Sequence, residues 1–243
     1  MTMSYKVAHL AHIVRTTIVN SDWQQFCYLA KKKVSLFSTF TQKKMEEIFK
    51  YFDTFLKLSP ESNKIIKSHL EYETIKKGGF LWKAGQRCNN LYFVTSGIAR
   101  LFFYTEEAEE NTVHFIFENN FITDLESLRI QTPSSISCIA AIDCNVVVIK
   151  SQILKKFDKE VFEWHELLRK ITEKTLFDKV KVRDILFQKE SKERYISFLK
   201  LFPTIANNVP ANQIASYLGI SQFTLSHLKK EIAEDDFLRI RKN

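Results

Sequence analysis

The sequence predicts an α+β chain: a β sandwich or barrel flanked by helices, then a long helix, then a compact pair of short helices near the carboxyl end. Three observations predict it. Short runs rich in β-branched and aromatic residues recur between residues 69 and 150, where four of the five glycines lie; such runs, separated by turn residues, read as strands of an all-β unit. Val161, Trp164, Leu168, Ile171, Thr175, Asp178, Val182 and Ile185 are spaced 3, 4, 3, 4, 3, 4, 3 without Pro or Gly, which is a heptad seam on one long helix. Residues 211–230, ANQIASYLGISQFTLSHLKK, read as two helices meeting at Gly219.

Composition sets the frame for these elements. With 243 residues, 45% hydrophobic and 26% charged, the chain can bury a core as one large domain or two modest ones, and it is neither low-complexity nor an acidic disordered protein. No apolar run approaches the ~18–20 residues that span a bilayer. Cys27, Cys88, Cys138 and Cys144 form no C-x-x-C pair, so they read as buried small side chains in a reducing cytoplasm rather than as a disulfide or zinc framework.

The net charge of +8 is unevenly placed. Residues 1–44 hold seven Lys/Arg, Lys31–Lys33 among them, against the single acid Asp22, for +6. Residues 45–189 balance at 21 against 21, and residues 190–243 hold eight against six, for +2. His9, His12 and Arg15 interrupt any secretory h-region, while an acid-poor amphipathic start is also the style of a transit peptide. The preferred reading makes Met45 the natural start and residues 1–44 a basic extension with little fixed structure.

In order along the chain, Ile48, Phe49, Phe52, Phe55 and Leu56 and then Ile65 and Ile66 have helical spacing interrupted at Ser59–Pro60, which predicts two short helices. The expected strands are Leu91–Thr95, Ile98–Tyr104, Thr112–Phe117, Ser135–Ala140 and Cys144–Ile149. The long helix follows Ser151. Its seam fits pairing with a second copy, although Thr175 and Asp178 weaken the middle; packing against the chain's own β unit is the alternative. Tyr195, Ile196, Phe198, Leu199 and Phe202 form a short amphipathic helix stopped by Pro203, and Ala206–Pro210 reads as turn.

In residues 211–230 the apolar positions Ile214, Leu218, Ile220, Leu225 and Leu228, the small Ala215 and the turn glycine Gly219 are what two steeply crossing helices need. Ser221 stands where it caps the second helix. An ordinary helical hairpin explains those apolar residues but not the polar outer face of Gln222, Thr224, Ser226, His227, Lys229 and Lys230. A helix-turn-helix explains both, with double-stranded DNA as the partner. Recognition helices place their N-terminal residues at base edges. Gln222 suits a bidentate pair with adenine. Phe223 has no donor: it packs on a thymine methyl or stays in the interhelix core. Ser226 and His227 are one turn on, at bases or phosphates, with His227 equally at home as a solvated histidine, and Lys229 and Lys230 suit phosphates.

The order β unit, long helix, helix-turn-helix resembles the Crp/Fnr superfamily of bacterial transcription regulators over about residues 46–235. The resemblance rests on GGFLWKAGQRCNNLYFVTSGIARLFFY and VPANQIASYLGISQFTLSHLKK, the latter most like the Bacteroidetes branch. It implies a cyclic nucleotide-binding-like jelly roll, a homodimer, a cytoplasmic location and RNA polymerase as a partner. The implied division is a basic extension over 1–44, a sensor unit over 45–159, a dimerisation helix over 160–189 and a DNA-binding unit over 190–243. Only twelve residues follow Glu231, so the wing is truncated, with at most a short strand over Phe237–Ile240 and Arg239, Arg241 and Lys242 near phosphates.

Cyclic AMP-binding members of that family use a Gly-Glu pair and, about ten residues on, an Arg-Ser pair. Those positions here fall at Thr123, Asp124, Ser134 and Ser135, the candidate effector pocket. Asp124 can accept a ribose hydroxyl, but a serine hydroxyl does not replace the arginine fork that matches a phosphate. Cyclic-nucleotide control is therefore not expected, and the effector is left open. There is no cysteine cluster for an iron–sulfur centre, and the isolated His69, His114 and His165 read as hydrogen-bonded residues before haem ligands. No catalytic residue, metal or cofactor is expected: Asp124 and Glu126 are the only acidic pair near the expected pocket, without a nucleophile beside them. A ligand- or protein-binding module with a non-functional helix-turn-helix is the competing function.

Overall fold

The computed structural model describes residues 45–187 and 189–240, with side chains as far as Glu234. The basic extension, Lys31–Lys33, Cys27 and the side chains of Arg239, Arg241 and Lys242 lie outside the described residues. A helix over residues 45–53 (α1) leads to α2 (Pro60–Lys67), started by Ser59, whose Oγ accepts from the Ser62 N–H at 3.2 Å. Eight strands follow: β1 (Glu71–Ile75), β2 (Phe80–Trp82), β3 (Asn90–Ser96), β4 (Ile98–Tyr104), β5 (Glu110–Phe117), β6 (Asn120–Ile122), β7 (Ser137–Ala140) and β8 (Cys144–Lys150), with α3 (Leu125–Ile130) between β6 and β7. The helices α4 (Ser151–Glu160), α5 (Trp164–Phe187), α6 (Ser191–Leu201), α7 (Pro203–Asn208), α8 (Ala211–Leu218) and α9 (Gln222–Ile240) complete the chain.

The strands form two four-stranded antiparallel sheets, ordered β1-β8-β3-β6 and β2-β7-β4-β5. Between them lies an interior of Trp82, Cys88, Tyr92, Val94, Ala99, Leu101, Ile116, Cys138, Val146 and Val148. The alternate residues of the same strands serve other cores. Phe93, Val147 and Ile149 face a helical core with Phe52, Phe157 and Trp164. Ile98 and Phe115 face a core built with Leu186, Phe198, Tyr217 and Leu218. Both sheets are thus covered on both faces over their central strands. Covering both faces turns a strand from an alternating pattern into a continuous apolar run such as Leu91–Val94.

Gly97, in the tight turn from β3 to β4, has φ +99°, and a Cβ built there lies 2.3 Å from the Asp143 carbonyl oxygen and 2.7 Å from Cys144 Cα. Only glycine fits such a close approach of two backbones.

The long helix departs from its expected role in its first half. Val161, Trp164 and Ile171, placed by spacing in an inter-chain seam, are buried in the chain's own helical core, with the Trp164 ring 5.0 Å from Phe157 and 6.3 Å from Phe52. The heptad rhythm records burial without recording whose surface does the burying. Farther along, every residue from 172 to 181 except Thr175 is exposed. Those residues include Leu176 at 60%, Phe177 at 72% and Val180 at 40% exposure. Two smaller corrections follow from the helices. Pro203 does not only stop α6; it stands at the first position of α7, where a missing N–H costs nothing. Phe237–Ile240, expected as a strand, continues α9. Among the described residues, no helix is long and apolar enough to cross a membrane.

Candidate nucleic-acid interface

The two C-terminal helices are assembled as their sequence requires. Ile214, Ala215, Tyr217 and Leu218 are buried on α8, and Leu225 and Leu228 on α9. Gly219 ends α8 in the left-handed region at φ +66°, its N–H bonded to the Ser216 carbonyl at 3.2 Å; this is the C-terminal glycine cap. The Ser221 Oγ accepts from the Thr224 N–H at 2.9 Å and is hydrogen-bonded to the Thr224 hydroxyl at 2.8 Å, so Ser221 is the N-cap of α9. Arg194 of α6 donates to the Leu218 carbonyl at 2.7 Å, placing a cation at the negative end of α8. Lys192 pairs with Glu231 at 2.7 Å and ties α6 to α9.

With Leu225 and Leu228 turned inward, the other side of α9 faces solvent. Gln222, Phe223, Ser226, His227, Lys229 and Lys230 are all exposed, as is Ser221 before them. At 100° per residue, Phe223, Ser226, His227 and Lys230 fall within an arc of roughly 100° opposite the buried leucines, with Gln222 and Lys229 both beyond the edge that Ser226 marks. No acidic residue occurs from Gln222 to Lys230. Phe223 is 82% exposed, so the interhelix core is not its place. The structure brings the seven expected contact residues onto one continuous surface.

The candidate effector residues are arranged differently. Asp124 caps α3, accepting from the Ser127 N–H at 3.1 Å, and its second oxygen accepts from the Ser134 hydroxyl at 2.6 Å. Ser134 is buried, and the Trp82 indole N–H reaches the Ser134 Oγ at 3.2 Å and the Ile136 carbonyl at 3.0 Å. Thr123 donates to the Asn90 carbonyl at 2.9 Å, and Ser135 is exposed. Asp124 and Ser134 are therefore joined by a hydrogen bond, whereas the Thr123 hydroxyl is turned to the Asn90 carbonyl and Ser135 faces solvent. An anion placed beside the Ser134 hydroxyl would face the Asp124 carboxylate, which does not fit a cyclic phosphate. Among the described residues, no cluster of His, Cys, Asp or Glu could hold a metal ion.

A contact that residue spacing does not announce joins the sandwich to the helix pair. The Thr112 N–H of β5 donates to the Ser216 Oγ at 2.8 Å, and Ser216 donates to the Glu110 carbonyl at 3.2 Å. Tyr217 packs on Phe115 at 5.4 Å and lies 6.3 Å from the His114 ring. Beneath them the buried Arg100 pairs with Glu110, donates to the Thr112 hydroxyl at 3.2 Å and sits over the Phe102 ring. The partners are 104 and 106 residues apart, which no local pattern encodes.

Burial, with a smaller contribution from Lys179, pushes the His114 imidazole down to about 4. The unfolded chain takes up this proton near the ordinary histidine pKa of about 6.5. Native stability is therefore full above that pH and falls as pH drops toward 4. Urea midpoints are expected to fall between pH 7 and pH 5, and to fall less in His114→Gln; identical profiles for the two chains would contradict this placement.

Residues 72–160, from β1 to the end of α4, match the family profile described as the cyclic nucleotide-binding domain. No curated protein sequence matches the chain. Solved structures share the wider fold. One is described as a transcriptional regulator of the crp/fnr family from Eubacterium rectale, 18% identical over 73% of this chain and 85% of that one, with a TM-score of 0.59. FixK2 from Bradyrhizobium japonicum is 16% identical over 69% and 86%, at 0.57. The c-di-GMP responsive global regulator CLP of Xanthomonas campestris is 15% identical over 73% and 93%, at 0.59. At these identities the likeness establishes a common fold.

Proposed function

We propose that the chain is a sequence-specific DNA-binding transcription regulator of the Crp/Fnr type, working as a cytoplasmic homodimer, with α8 and α9 as its helix-turn-helix. The observation that carries this reading is the outward face of the first half of α9, where Gln222 to Lys230 hold two lysines and no acid, held away from the core by a capped two-helix unit; the first acid on that face, Glu234, lies one turn beyond Lys230 and pairs with it at 3.9 Å. Regulators of the same fold support it. In this reading Gln222, Phe223, Ser226 and His227 meet base edges while Ser221, Lys229 and Lys230 meet the backbone.

The dimer is supported by the exposed middle of α5, where Leu176, Phe177 and Val180 are left uncovered by the described residues. A two-fold axis through α5 would set two copies of α9 on half-sites about one helical turn apart. The Asp124–Ser134 hydrogen bond supports a sensor not gated by cyclic AMP. RNA polymerase is the further partner that the family resemblance implies.

The test is a titration of labelled duplex at several salt concentrations. Binding to every sequence is expected to weaken in Lys229→Ala and Lys230→Ala, and the slope of log affinity against log salt to shrink by about one per lysine lost from each protomer. Gln222→Ala is expected to change sequence preference instead. Unchanged affinity and slope in both lysine variants would favour a ligand- or protein-binding module whose helix-turn-helix does not function.

A further inference from the structure

Resting on the reading of α9 as the DNA-contacting helix, we infer that Phe223 recognises the 5-methyl group of a thymine and so sets part of the sequence specificity. Its position in the first turn of α9 is fixed by the Ser221 cap, and first-turn residues of such helices meet base edges. Within that turn Phe223 lies opposite the buried Leu225 and Leu228, at the centre of the outward face, while Gln222 is at the flank. The side chain is 82% exposed, so it is not a core residue that strays outward, and an exposed phenyl ring at such a position gains only by meeting an apolar surface. Lys229 and Lys230, one to two turns on, make that surface part of a polyanion. The ring carries no donor or acceptor and cannot read the hydrogen-bonding edges of the bases. The major groove offers one apolar feature, the thymine methyl.

The test removes only that methyl. Duplexes recovered from random sequence by the full chain are rebuilt with deoxyuridine in place of each thymidine in turn, symmetrically in both half-sites. One symmetric position is expected to weaken binding, by roughly fourfold per half-site, the factor that burial of one methyl group supplies. Phe223→Ala should bind the thymidine and deoxyuridine duplexes equally while keeping its salt dependence. The substitution is at an exposed position, and an unchanged unfolding transition verifies that the variant is folded.

If no thymidine in the site is sensitive, or if Phe223→Ala keeps the full sensitivity, the assignment of Phe223 is overturned while α9 remains the reader. If the full chain recovers no preferred site at all, the DNA-binding reading falls and the assignment falls with it.

Discussion

Gly97→Ala unfolds far more readily than the parent chain, with an expected loss of about 2–5 kcal/mol. Two costs add at this residue. Positive φ is disfavoured for any residue with a Cβ, by about 1–2 kcal/mol, and the new methyl would lie 2.3 Å from one backbone atom of the 143–144 segment and 2.7 Å from another. Neither is the end of a flexible side chain, so β8 must move away from β3, and forced overpacking costs typically ~1–3 kcal/mol or more. β8 is the strand on which β1 and β3 both pair, so the disturbance enters the middle of a sheet. Gly85→Ala separates the two costs. Gly85 has φ +82° with nothing within 4 Å of a built Cβ, so only the conformational part, about 1–2 kcal/mol, should be lost there. Urea denaturation of both variants checks the difference; equal losses would contradict the close approach at Gly97.

The second large effect is expected on α5. Leu176→Glu combined with Phe177→Glu should leave the fold intact, because both side chains are exposed in the single chain. In the proposed dimer the same pair would place four carboxylates in an apolar contact, and unpaired charge in such a contact is strongly unfavourable. Sedimentation should then show monomers, and affinity for a two-half-site duplex should fall roughly a hundredfold or more as bivalent attachment is lost. A double variant that sediments as the parent does, at unchanged affinity, would place the dimer contact elsewhere or remove it.

How much of this was legible in the sequence differs by element for physical reasons. Strands β3, β4, β5, β7 and β8 could be read because coverage of both sheet faces makes them conspicuous apolar runs. β1 was missed because its sequence, EYETI, belongs to an edge strand with a mostly exposed face. β2 and β6 were missed because three residues are too few to show any period. α3 is a six-residue helix whose start is marked only by Asp124, a residue whose carboxylate suits a ribose hydroxyl as well as a helix cap. The α8–α9 unit was readable almost residue by residue, since caps, turn glycine and apolar positions are all local. For Phe223 the sequence allowed both a core and a surface position, and only the packing of Leu225 and Leu228 decides between them. In the long helix the period is the same whichever partner buries the seam, so the spacing of Trp164 and Ile171 fits a second copy and the chain's own core alike, and only the packing places them in the latter. The Ser216 bridge to β5 was out of reach for the same kind of reason: a hydroxyl in a short helix carries no sign of a strand a hundred residues earlier.

The central claim, that the outward face of α9 meets duplex DNA, is tested most directly by photo-crosslinking from Ser226. A benzophenone side chain placed there in the full chain is exposed and leaves Leu225 and Leu228 undisturbed. Irradiation with bound duplex should join protein to DNA in high yield, and the same probe at Phe80, on the sandwich, should not. Crosslinks to duplex from position 80 with none from position 226 would contradict the account.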